Sequence, residues 1–142
     1  MLHNIDPILS PDLLHALRAM GHGDEISLVA ANFPAENLGP ICIRADGSDN
    51  SSMLRAVLSL MPLDTIVHDP ALCMQVDDDA QAAPDTVKDF QRIINEAADA
   101  PRDIQSLERF AFYERAAQSY AVVQTGERRL YGNIILKKGV IK

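Results

Sequence analysis

No run of about 18 apolar residues occurs in the chain, so no segment reads as a membrane span. The N-terminus, "MLHNIDPILSPDLL", lacks the basic-then-apolar order of a signal peptide, and the expected location is the cytoplasm. Basic residues are outnumbered, 13 against 20 acids for a net charge of -7, and only Lys137 and Lys138 form a small cluster. Binding to nucleic acid through phosphates is therefore not expected. The two cysteines, Cys42 and Cys73, lie in apolar stretches at no metal-like spacing and read as buried thiols rather than a disulfide or a nucleophile. Dinucleotide fingerprint, phosphate loop and G-x-S-x-G elbow are all missing. His3, His15 and His68 form no ligand pair, so a metal site is not expected.

What is present is a chain of 142 residues, 47% of them hydrophobic, enough for one domain over residues 1–142 with one sizeable core. Ser10, Pro11 and Asp12 are the cap, first position and acidic first turn of a helix carrying Leu13, Leu14, Leu17 and Met20, stopped at Gly21. "EISLVAANF" then reads as a strand, as does "GPICIRADG", closed by a turn at Asp46-Gly47. A helix with Met53, Leu54, Val57, Leu58 and Met61 on its buried side follows. "DTIVHD" and "ALCMQV" are short strand candidates, and Val87, Phe90, Ile93 and Ile94 mark another helix. "SLERFAFYERAAQS" predicts a short extended approach and a helix to about Gln118. Two strands joined through Thr125-Gly126-Glu127 follow. Alternation of this kind implies an α/β domain, a mixed β-sheet flanked by helices.

Three constellations could carry chemistry. "GHGDEI" places His22 between glycines, with Asp24 and Glu25 near enough in sequence to orient or tune it; an imidazole both gives and takes a proton near neutrality. Spacing alone favours an ordinary surface turn. "ERFAFYER" brings Arg109, Tyr113 and Arg115 together with two phenylalanines, and by itself reads as a core-facing aromatic pair with exposed charges. "LYGN" combines Tyr131, Gly132 and Asn133, a phenol, a glycine and an amide suited to polyhydroxy ligands. "DDD", Asp77 to Asp79, reads as a solvated loop rather than a cation site.

Taken in order, "ILSPDLLHAL", "MGHGDEI", "NFPA", "IRADG", "RFAFYERA", "TGE" and "YGNIILKKGV" resemble the RbsD/FucU family of ribose pyranase and fucose mutarotase proteins, with the closer likeness to the fucose branch. The resemblance implies a cytoplasmic α/β enzyme that interconverts anomers or ring forms of a free monosaccharide, fucose-like or ribose-like, without cofactor or metal. It also implies a decameric homo-oligomer with sites between neighbouring subunits. By position, His22 matches the catalytic histidine, Arg109 the sugar-contacting arginine, and Tyr131 and Asn133 the pocket aromatic and amide. Asp24 and Gly132 would support them. The family usually has an aspartate where this chain has Ala30, which leaves a second reading: a sugar-binding protein of altered specificity or without turnover.

Overall fold

A computed structural model describes residues 1–77 and 79–142. Six strands form one sheet in the order β2-β5-β1-β6-β3-β4: β1 (Glu25–Val29), β2 (Ile41–Ala45), β3 (Ala71–Met74), β4 (Gln105–Leu107), β5 (Ala121–Thr125) and β6 (Ile134–Lys137). β1 runs parallel to β5, and β5 parallel to β2. β6 runs antiparallel to both β1 and β3, and β3 is parallel to β4. Five strands therefore point one way and β6 alone returns.

The central strands β1, β3 and β5 are buried along their whole length, whereas β2 and β4 at the edges are only partly buried. Alternate side chains serve opposite faces. Leu28, Val123, Ile134 and Leu136 pack on one face with α1 (Pro11–Ala19), α2 (Asn50–Leu58) and α3 (Asp85–Ala97), through Leu13, Leu17, Met53, Leu54, Phe90 and Ile94. Val29, Val122 and Ile135 pack on the other face with Phe33 and with α4 (Arg109–Ala116), through Phe112 and Ala116. The cap expected at Ser10 is in place, its Oγ accepting the Leu13 amide at 3.2 Å; α2 is capped by Asp49, whose Oδ1 accepts the Ser52 amide at 2.8 Å.

Three expectations are corrected. The strands on either side of Thr125-Gly126-Glu127 are not partners, because β1 lies between them. Gly126 makes no tight hairpin turn; its amide donates to the Ser48 carbonyl, and a Cβ there would collide with the Asp46 carbonyl oxygen. "DTIVHD" is not a strand: only the Asp64 amide bonds across to the Lys137 carbonyl, after which the Asp64 carboxylate takes the Val67 amide and Arg102 takes the carbonyls of Asp64 and Val67. β1 also stops at Val29, where Phe33 N–H turns back to the carbonyl of Ala30. Cys42 and Cys73 are free thiols, and burial pushes that of Cys73 far above its ordinary value. Of "DDD", Asp78 lies outside the described residues.

Candidate active site

Because five strands run together, their C-terminal ends meet at one edge of the sheet, where open α/β sheets place ligands. A cleft of about 220 Å³ lies there. The turn after β1 supplies Ala30 and Phe33, the end of β3 and the segment after it supply Met74 and Asp77, α4 supplies Arg109 and Tyr113, and the loop before β6 supplies residues 127–131 and Asn133. Arg109, Tyr131 and Asn133 are thus brought together from segments far apart in the chain.

Each is held by local structure. Glu108 caps α4, its Oε2 accepting the amides of Phe110 and Ala111 at 3.0 and 3.2 Å, which starts the helix at Arg109. The Arg109 guanidinium lies 5.9 Å from the ring centre of Phe110 and 5.7 Å from that of Tyr113. Those distances favour cation–π attraction and leave the donors for a ligand. Tyr113 follows Arg109 by four residues on one helix face, a spacing from which its place in the cleft could have been read. Of the two phenylalanines only Phe112 enters the core; Phe110 is exposed.

Asn133 is buried, and its Oδ1 accepts the Ala30 amide at 2.8 Å, so the side chain ties the end of β1 to the start of β6. Tyr131 occupies the left-handed region, φ +59°, and the Gly132 carbonyl accepts from buried Asn50 at 2.7 Å. A Cβ at residue 132 would fall 2.6 Å from the Glu127 side chain and 3.1 Å from the Arg129 carbonyl, so only glycine lets this loop close. Glu127 underlies it: its carboxylate accepts the amides of Asn50 and Arg129 at 3.2 and 2.9 Å and pairs with the Arg129 guanidinium at 2.9 Å.

His22 is elsewhere. It occupies the turn before β1, at the N-terminal edge of the sheet, and takes no part in lining the cleft. β1 alone, five residues at about 3.3 Å each, puts roughly 16 Å between them. The turn is rigidly built. Gly23 adopts φ +88°, the Gly23 amide donates to the Lys138 carbonyl, and Lys138 Nζ caps α1 on the carbonyls of Leu17 and Met20 at 2.7 and 2.6 Å.

The partner of His22 is Asp64, not Asp24. Nε2 lies 2.9 Å from Asp64 Oδ1, the carboxylate being buried while 43% of the imidazole is exposed. Asp24 Oδ2 accepts the Gly21 amide at 2.8 Å, which turns it back on its own loop, and Glu25 pairs with Arg115 and Lys137 at 2.6 and 3.1 Å. Burial alone would raise the Asp64 carboxyl, but the Val67 amide and the imidazole outweigh it and hold the group below the usual range. An ionised Asp64 accepts from Nε2–H, which leaves Nδ1 as the free nitrogen. Asp64 stands 42 residues further along the chain, at the start of "DTIVHD", so no spacing could have found it.

If His22 is the acid-base group that the family resemblance implies, Asp64→Asn is expected to lower anomer exchange by about 10- to 100-fold, since the neutral amide orients the ring without supporting its charge. The check is an exchange rate measured across pH 5–9 beside a melting curve showing intact fold. A fall in rate matched by a fall in melting temperature would instead make the contact structural.

Among the described residues no helix is long and apolar enough to cross a membrane, and no group of three or more His, Cys, Asp or Glu gathers to hold a metal. Known proteins resemble the chain over its whole length. It is 51% identical over 146 residues to the fucose mutarotase of Mus musculus, covering 99% of this chain and 95% of that protein. It is 47% identical to that of Homo sapiens, covering 99% and 94%. The crystal structure of the fucose mutarotase from Streptococcus pneumoniae in complex with L-fucose superposes with a TM-score of 0.91 at 41% identity, covering 99% of this chain and all of that one. Residues 3–141 match the RbsD / FucU transport protein family, and the chain belongs to that family.

Proposed function

We propose that the protein is a cofactor-independent monosaccharide mutarotase of the L-fucose type, in which the whole chain acts as one domain in the cytoplasm. The observation that carries this is the convergence of Arg109, Tyr131 and Asn133 on a sugar-sized cleft, in a chain that also holds an exposed imidazole on a buried carboxylate. Half-identity to fucose mutarotases supports it.

Mutarotation opens a sugar ring by removing the anomeric hydroxyl proton and protonating the ring oxygen; rotation of the aldehyde and closure give the other anomer. Both steps are proton transfers. In this reading His22, protonated, delivers a proton to the ring oxygen through Nδ1 while Asp64 supports the cation. Arg109 and the Asn133 amide hold hydroxyls, and Tyr131 takes or relays the anomeric proton. His22 and the cleft of one copy stand at opposite edges of its sheet, so the site is shared: His22 of one copy closes the cleft of a neighbour. A decameric ring is the expected assembly. Exposed apolar residues at both edges, Ile66 near Asp64 and Phe110 and Leu130 beside the cleft, suit such contacts.

Saturation-transfer NMR on L-fucose tests the reading. Accelerated exchange supports it, and calorimetric binding without acceleration favours instead a sugar-binding protein, the reading to which Ala30 points. Ala30 lines the cleft beside Asn133. Ala30→Asp is expected to raise fucose exchange by about 10-fold, because a carboxylate there accepts sugar hydroxyls in charge-assisted hydrogen bonds. An unchanged rate would show that the missing carboxylate does not limit the reaction.

A further inference from the structure

The charges lining the cleft do not balance. Three arginines face it, Arg109, Arg128 and Arg129, against two acids, Asp77 and Glu127. Arg129 and Glu127 neutralise each other at 2.9 Å, and Arg129 also reaches Asp89 at 3.3 Å. Among the described residues Arg109 and Arg128 have no carboxylate within ion-pair distance, which leaves two guanidinium groups facing Asp77. Among the described residues that line the cleft one positive charge is left over, in a chain whose net charge is -7. Ala30 lines the same cleft and brings no charge to it.

A neutral sugar accepts hydrogen bonds from guanidinium groups but offers no opposite charge to these two exposed arginines. A carboxylate on the ligand supplies one and matches the planar fork of an arginine with two parallel hydrogen bonds. We infer that the sugar preferred by this cleft carries its own acid group: a hexuronate or a related free sugar carboxylate, bound by Arg109 and Arg128 across the space left open by Ala30. This inference rests on the mutarotase reading for its site, and it concerns which sugar is bound rather than how the proton moves.

The test uses the intact assembly and reads binding apart from turnover. By calorimetry, D-galacturonate is expected to bind at least about 10-fold tighter than D-galactose, its neutral counterpart, and tighter than L-fucose, with the advantage shrinking as salt rises. Arg128→Met narrows the galacturonate-to-galactose ratio. Ala30→Asp moves the two sugars in opposite directions, weakening the uronate and strengthening fucose, a result that misfolding cannot produce. Equal binding of galactose and galacturonate, or a common shift of both sugars in Ala30→Asp, overturns the inference. Tighter binding of glucose 6-phosphate than of either uronate overturns the carboxylate assignment. Exchange on fucose with no uronate binding defeats this inference and leaves the mutarotase reading standing; uronate binding with no exchange on any sugar does the reverse.

Discussion

Replacing His22 by alanine is expected to remove the catalysed part of anomer exchange, a fall of about 100- to 10,000-fold, the range that one positioned acid-base group supplies. The folded structure should tolerate the change, because the imidazole is 43% exposed and its turn is held by Gly23, Asp24 and Lys138 instead. Saturation-transfer NMR gives the rate and a melting curve the fold. A second experiment asks where the histidine acts. Asn133→Ala should also be inactive alone. Yet subunits of His22→Ala and Asn133→Ala, unfolded and refolded together, should recover activity in about one in four sites, those joining an intact His22 to an intact Asn133 from different copies. A mixture as inactive as its components would mean that both residues serve one cleft from one chain, and the shared-site proposal would fall.

Glu127→Ala is expected to cost about 2–4 kcal/mol, the largest stability effect of any single site residue. The side chain is 4% exposed. Its removal leaves the buried Asn50 amide without an acceptor, frees Arg129, and loosens the loop that carries Tyr131 and Asn133. The Arg129 guanidinium and the amides of Arg129 and Asn50 hold the Glu127 carboxyl at about 2, against an ordinary 4.5. A carboxyl whose folded value is depressed contributes its stability in full above the ordinary value and loses it as the pH falls through the folded one. Between pH 4.5 and 2 the native protein should therefore lose stability with a component absent from Glu127→Gln. Thermal melts at half-unit pH steps measure it. Parallel acid limbs for the two proteins would assign acid sensitivity to other carboxylates, such as Asp64 or Asp89.

Much of the local structure was legible because its causes are local. The cap at Ser10, the apolar spacing of α1, α2 and α3 and the runs that became β1, β3 and β5 depend on neighbours within a turn or two. "DTIVHD" misled for a different reason. Its β-branched residues suit a strand, but Asp64 and Arg102 satisfied the backbone from side chains, and 38 residues separate those two.

What the sequence by itself determined was an α/β chain with its polar constellations already chosen: His22 in its glycine turn, Arg109 on the approach to a helix, and Tyr131-Gly132-Asn133 at the start of a strand. What only the tertiary structure decided was which of them meet. Strand direction gathered Arg109, Tyr131 and Asn133 at the C-terminal edge and left His22 at the other, because β1 separates a turn at its start from a cleft at its end. It also replaced Asp24 by Asp64 at the imidazole. A hydrogen bond follows distance in space, and the short side chain next in sequence was already turned to the Gly21 amide. The unanswered charge of the cleft belongs to the same level, since it arises only when loops distant in sequence set Arg109 and Arg128 around Ala30.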